Sequence, residues 1–360
     1  MDMQIALILG QDGIINGAIY ALLALSILLV FTVTRVLLIP QGEFVAFGAL
    51  TMATLQAGEP VKLVWLLVAL AIAEAFSELM LMRRTAQGIR ISSSLVLKLA
   101  YPLALAAALY HLNAATLPML VQAFLTLLII VPLGPQLYRL FFQPIANAPS
   151  LILLIVAIAV HVALVGIGLL AFGPGGASTT PFSEANFEFE LLTLNSQTLW
   201  VVGTSVLLIV VLYVFFNRTI YGKALRAAAV NRTGARLMGI SPVFAGKASF
   251  FLASLIGALS GILIAPITAI YFDSGFLISL KGFIGAIIGG LVSYPLAAAG
   301  AIIVGLLEAF SAFWARIRAI CMSMLMSLIT FAYWVSRGRG CPRFELQLSL
   351  SARPTCHLSP

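Results

Sequence analysis

Tyr221-Gly222-Lys223-Ala224-Leu225-Arg226-Ala227-Ala228-Ala229-Val230-Asn231-Arg232-Thr233-Gly234-Ala235-Arg236-Leu237-Met238-Gly239-Ile240-Ser241-Pro242 is a polar island in an apolar chain. One apolar run, Leu199 to Phe216, enters it, and another, Ala248 to Tyr271, leaves it. Between Asn217 and Ala245 stand five basic residues (Arg218, Lys223, Arg226, Arg232 and Arg236) and no acidic one. The Ala, Leu, Arg and Met of its middle are strong helix formers, and Ser241-Pro242 stops the helix. Its charge predicts a cytoplasmic position. A basic, helical loop of this length is more structured than a connector requires, so we read it as a docking helix for a soluble partner. The plainer alternative is a basic loop that only sets topology.

Working outward, 62% of residues are hydrophobic, 9% are charged, and the mean hydropathy is +1.11. A soluble domain carries about 25% charge, so the composition predicts an integral membrane protein. The net charge of +8 gathers at the ends of apolar runs, where it sets topology and is no signature of nucleic-acid binding. Met1 to Gln11 carries Asp2 but no Lys or Arg, and so lacks the positive start of a secretory signal. Apolar runs follow at Gly13–Thr34, Phe44–Thr54, Val61–Met82, Leu95–Leu112, Leu117–Leu140, Leu151–Phe172, Leu199–Phe216, Ala248–Tyr271, Leu277–Leu291 and Leu296–Phe313, with a weaker one at Ala319–Val335. None alternates as a barrel strand does, and helices are the other way across a bilayer. The expectation is an all-α, polytopic integral membrane bundle of about ten to eleven transmembrane helices. Basic residues at Arg35, Arg83, Arg84, Arg90 and Arg139 mark one side, and the acidic loop Gly173–Ser196 marks the other. The second run should still cross, whereas the ninth could be re-entrant.

Small residues four apart, at Gly13/Gly17, Gly257/Gly261 and Gly285/Gly289, predict close helix packing, joined by Gly290. Each match is weak alone, because Gly and Ala are common in membrane helices. Ionisable residues within spans are costly and mark polar paths when they are not structural. Glu43, Glu74 and Lys281 are candidates for a translocation path, with His161 and Glu308 also inside spans. Glu78 is better explained by the nearby Arg83 and Arg84, and Lys281 can snorkel outward. The nearest approach to a P-loop, Gly234 to Ser241, has Ile240 where the lysine must be, so any ATP hydrolysis comes from another subunit. His111, His161 and His357 with Cys321, Cys341 and Cys356 lack metal-ligand spacing. No nucleophile–base pair stands out, and no cofactor, metal or enzyme activity is expected.

Gly17-Ala-Ile-Tyr20-Ala-Leu22 and Gly42-Glu43-Phe44, then Tyr138-Arg139 with Gln143-Pro144, resemble segments of the permeases of branched-chain amino acid ABC transporters. The similarity is densest from Gly222 to Glu308, through Gly222-Lys-Ala-Leu-Arg226-Ala227, Leu237-Met-Gly239-Ile240, Gly257–Gly261, Gly289-Gly290, Gly300 and Gly305. The resemblance implies that residues 1–314 form the permease domain of an importer in a bacterial inner membrane. The loop of about 217–245 would then be the coupling helix, seated on the ATP-hydrolysing subunit through Gly222, Arg226, Ala227, Gly234, Leu237 and Gly239. It also implies a second permease subunit, cytoplasmic ATP-binding subunits and a periplasmic substrate-binding protein. The solute would be a branched-chain or related amino acid; a urea or amide permease is an alternative. From another class, a stand-alone secondary transporter could couple to protons through Glu74, His161 or Glu308.

The chain departs from this family in three places. Leu38-Ile39-Pro40-Gln41 replaces an Asn-Phe-Ala-His break, Arg90 to Pro118 has no counterpart, and the likeness ends after Trp314. There follow Ala315-Arg316-Ile317-Arg318, a Met/Ser-rich run and a Cys/Pro/Ser-containing tail to Pro360. All three cysteines lie in these last residues, and Arg316 and Arg318 fall at an outer end unless the ninth run is re-entrant. Together these features point to a reading-frame change in the gene near residue 315; a divergent natural C-terminus is the alternative.

Overall fold

The computed structural model describes residues 3–84, 93–111, 114–183, 186–189, 192–291 and 293–313. The eleventh apolar run and the tail from 315 to 360 lie outside the described residues, as do the side chains of Arg83 and Arg84. Ten helical segments match the ten stronger apolar runs. They are α1 (Met3–Thr34), α2 (Gln41–Ala57), α3 (Leu63–Arg84), α4 (Ser93–His111), α5 (Met119–Ile130), α7 (Ser150–Phe172), α8 (Ser196–Arg218), α11 (Pro242–Ile264), α12 (Ser274–Ile288) and α13 (Tyr294–Phe313). Short α6 (Leu133–Leu137) and a π-helical turn at Tyr138–Phe142 extend α5. The island holds α9 (Ile220–Val230) and α10 (Arg232–Leu237). Among the described residues, seven helices are long and apolar enough to cross a membrane. The chain is a polytopic membrane bundle.

The core lies where α1, α2, α11, α12 and α13 meet, and α1 is enclosed along most of its length. Leu22, Leu23, Leu28, Phe44, Phe47, Leu50 and Phe250 are almost wholly buried there. In lipid the hydrophobic effect does not drive one helix against another, so backbone approach matters more. A Cβ at Gly17 would stand 2.9 Å from the Ile302 Cα, and one at Gly285 would stand 2.7 Å from the Ala301 Cα. At Gly257 it would stand 2.8 Å from the Phe44 Cβ, and at Gly289 2.5 Å from the Ala297 nitrogen. At Gly261 it would run into the Val45 carbonyl. These five positions are helix contacts. Gly290 is not: it has nothing within 4 Å and φ of +68°, and closes α12 with a left-handed turn.

The two shorter helices depart from simple crossings. His161 stands at the centre of α7, eleven residues from Ser150 and eleven from Phe172. Glu43, in the first turn of α2, comes within 3.1 Å of His161, and the Phe276 ring, in the first turn of α12, lies 4.9 Å from it between centroids. Gly42 and Gly275 abut backbone to backbone. Both helices therefore begin at mid-depth and diverge. α2 runs toward the acidic loop, where Gln56 accepts the Thr180 N–H at 2.9 Å. α12 runs toward the island, where Tyr294 stacks on Phe216 at 5.7 Å. The stretch before α12 joins the acidic loop through the Ala177–Ile270 bridge, so the chain passes from that end to the island end through this stretch and α12 together. The acidic loop itself contains an antiparallel hairpin, Asn186–Phe189 with Leu192–Asn195, which the sequence did not signal.

Candidate docking corner and membrane-embedded charge clusters

The island folds as a helical corner because its caps are encoded locally. The Thr219 hydroxyl accepts the Gly222 N–H at 3.0 Å and starts α9; the Asn231 carboxamide oxygen accepts the Gly234 N–H at 2.9 Å and starts α10. Gly239, at φ +81°, and Pro242 at the start of α11 then turn the chain back into the bundle. Leu225, Ala228 and Ala235 face inward beside Leu29, Val33 and Phe216. The Arg232 guanidinium donates to the Val33 carbonyl at 2.9 Å, tying the corner to the end of α1. Burial holds that guanidinium below its usual pKa, and nearby Arg35 acts the same way. The outward face carries Val230, Leu237 and Met238, each more than four-fifths exposed, among exposed Lys223, Arg226 and Arg236.

The coupling-helix residues named from the sequence divide by position. Arg226, Ala227, Leu237 and Gly239 lie on the exposed surface, and Gly234 is half-buried under its own cap. Gly222 is buried, and a side chain there would strike the Phe215 carbonyl. It sets the α8–α9 joint.

The path candidates do not converge. Glu43 is fully buried, and its 3.1 Å approach to His161 lacks hydrogen-bond geometry, so neither carboxylate oxygen has a hydrogen-bond partner among the described residues. Glu74 is 6% exposed and lies with Glu78 against Arg139 and Lys98. That cluster pairs two carboxylates with two cations, and Lys247 lies near enough to feel Arg139, Lys98 and Glu74. Lys281 forms a third cluster: its Nζ lies 2.5 Å from Glu308 Oε1 and 3.2 Å from the Tyr20 hydroxyl, which itself donates to Glu308 Oε2 at 2.9 Å. Glu308 shows no cation near it in sequence; Lys281, 27 residues earlier, reaches it because α12 and α13 pack as an antiparallel pair. Likewise Arg139 was legible as a topology marker but not as the partner of Glu74, 65 residues away.

A helical membrane bundle with broken helices meeting at mid-depth and a basic, capped helical corner at one end has the form of a transport permease. Residues 11–333 match the family described as branched-chain amino acid transport system / permease component, and the chain belongs to that family. The match runs past Trp314, where the motif likeness ends. The chain is similar to the high-affinity branched-chain amino acid transport system permease protein LivH of Escherichia coli K12, 28% identical over 188 residues, 49% of this chain and 60% of LivH. It is 25% identical over 211 residues to the permease protein BraD of Pseudomonas aeruginosa, 57% of this chain and 69% of BraD. A probable LivH of Methanocaldococcus jannaschii is 28% identical over 173 residues, 47% of this chain and 55% of the relative. The chain thus spans about three-fifths of the length of the LivH relatives it matches. No solved structure matches it.

Proposed function

We propose that this chain is the transmembrane permease subunit of an ATP-driven importer of branched-chain or related amino acids, lying in a bacterial inner membrane. The observation that carries this reading is the α9–α10 corner. Its fold is fixed by two side-chain caps and a tether to α1, yet its outward face leaves Leu237, Met238 and Val230 bare in a ring of cations. An apolar centre with a basic rim is the surface of a docking element for an acidic, water-soluble partner. The partner is a cytoplasmic ATP-binding subunit, because the chain has no P-loop of its own. A second permease subunit and a periplasmic substrate-binding protein complete the assembly. The protein itself catalyses no chemical step.

A proton-coupled secondary transporter would work through Glu74, His161 or Glu308. Among the described residues they belong to three separate clusters, and a secondary transporter has no use for a docking corner. A urea or amide permease would share this architecture and differ only in the solute.

Association decides the reading. Leu237→Asp combined with Arg226→Glu should abolish capture of the co-expressed ATP-binding subunit and ATP-dependent uptake, while the variant still inserts and melts as the parent does. Undiminished capture would reduce the corner to a topology signal.

A further inference from the structure

Resting on the importer reading, we infer that Lys281, Glu308 and Tyr20 form a checkpoint on the translocation path that reads the zwitterion of an α-amino acid. In this scheme the Lys281 ammonium receives the α-carboxylate and the Glu308 carboxylate receives the α-ammonium. The depth of the cluster is the first support. Tyr20 and Glu308 each stand fourteen residues from the island end of their helices, at Thr34 and Tyr294, which is about 21 Å along the axis and well within a hydrocarbon layer. The second is exposure. The side chains of Lys281 and Glu308 remain 34% and 36% accessible, so the pair sits on the outer face of this bundle and not in its core. A charged pair facing lipid at that depth is costly, and such groups pair with one another and face a bundle interior or a water-filled cavity.

The third support is what lies beside it. Asp12, Asn16 and Tyr20 recur at four-residue spacing along α1, with Asp12 exposed and Asn16 half-buried, so a polar file leads from the acidic-loop end to the pair. On α13, Ser311 adds a hydroxyl one turn from Glu308. Compare α8, whose outer face presents Val206, Leu207, Val210, Val211 and Val214 with no charge among them. The Lys281 face also exposes apolar side chains, Leu277, Leu307 and Phe310 among them, but it carries an ion pair and the polar file where α8 has neither.

Complementarity gives the ligand class. The ammonium and carboxylate groups lie side by side, and an α-amino acid carries the same two charges on one carbon. A zwitterion can replace the internal pair with two charge-assisted contacts and leave neither protein charge unmatched. A solute bearing one charge leaves the other protein group unpaired, and an uncharged amide displaces neither. Tyr20, buried and donating to Glu308, holds the carboxylate toward the lysine.

The test uses the whole transporter in proteoliposomes, with leucine, isoamylamine and 4-methylpentanoate as probes. Lys281→Met and Glu308→Gln should each lower leucine uptake about tenfold or more. The ATP-binding subunit should still be captured, which separates loss of solute recognition from loss of assembly. The exchange Lys281→Glu with Glu308→Lys keeps the pair and should recover part of the leucine uptake. The wild type should carry leucine in preference to either singly charged analogue. Purified variants are first matched for melting temperature, and Lys281→Arg serves as the conservative control if Lys281→Met fails to fold. Wild-type leucine uptake in both single variants would overturn the checkpoint while leaving the importer reading intact. If the wild type takes up no amino acid although it captures its ATP-binding subunit, the solute class and the checkpoint fall together.

Discussion

Gly261 and Gly290 are the same residue type under opposite demands. At Gly261 a side chain would enter the backbone of Val45 on α2, at the crossing that seats α2 against α11. At Gly290 it would meet open space, and only the left-handed backbone objects. Gly261→Leu should therefore force the helices apart and lower both the yield and the melting temperature of protein extracted in mild detergent. Gly290→Ala should cost only the strain of the left-handed conformation, about 1–2 kcal/mol. Equal melting of Gly261→Leu and the wild type would remove Gly261 from the helix interface. Spacing alone could place Gly257, Gly261, Gly285 and Gly289, because small residues four apart share a helix face. It could not separate Gly290 from them, since adjacency to Gly289 says nothing of the sign of φ. The buried charges were legible only in part for a related reason. Composition shows that a span holds a glutamate, but its partner comes from a helix distant in sequence, as Lys281 does for Glu308 and Arg139 for Glu74.

At the scale of elements, each of the ten stronger apolar runs is a helix, because burying an unpaired backbone in lipid leaves no other local choice. Where a helix begins within the membrane is another matter. Pro40 stands immediately before α2, but mid-depth entry follows from the fit of Gly42 against Gly275, a contact between residues 233 positions apart. The corner was more legible, since its helix formers and breaker are local, although its caps at Thr219 and Asn231, the second of which divides it into two helices, were not read from the sequence. Its capping residues give a direct check. Thr219→Ala and Asn231→Ala should each destabilise the corner by about 1 kcal/mol. Amide hydrogen exchange should quicken across residues 220–237, with α11 and α13 unchanged. Exchange that quickens throughout the bundle would mean the corner is part of the core fold and not a separately capped appendage.

For the whole molecule, sidedness follows from how the two ends are built. The island end collects Arg218, Lys223, Arg226, Arg232 and Arg236, and the opposite loop from Gly173 to Ser196 holds acidic residues and no basic one. That asymmetry is what the membrane reads during insertion. The loop is also pinned to the bundle: the Phe182 N–H donates to Gln197 Oε1 at 3.0 Å, and Gln197 Nε2 donates to the Leu263 carbonyl at 3.3 Å at the far end of α11. Only α8 lies between that loop and the corner, and its 23 apolar-rich residues run about 34 Å, one full crossing. A reporter inserted after Ser183 should accordingly be accessible from outside the cell, and one after Arg232 only from the cytoplasm. Two further reporters bracket the shorter helices, one at Gly58 past the end of α2 and one at Ser293 past the end of α12. The first should report outside and the second inside, because the helices diverge from a common mid-depth origin. If Gly58 and Ser293 report the same side, α2 and α12 do not diverge across the bilayer. The meeting of Gly42 with Gly275 would then not lie at its centre.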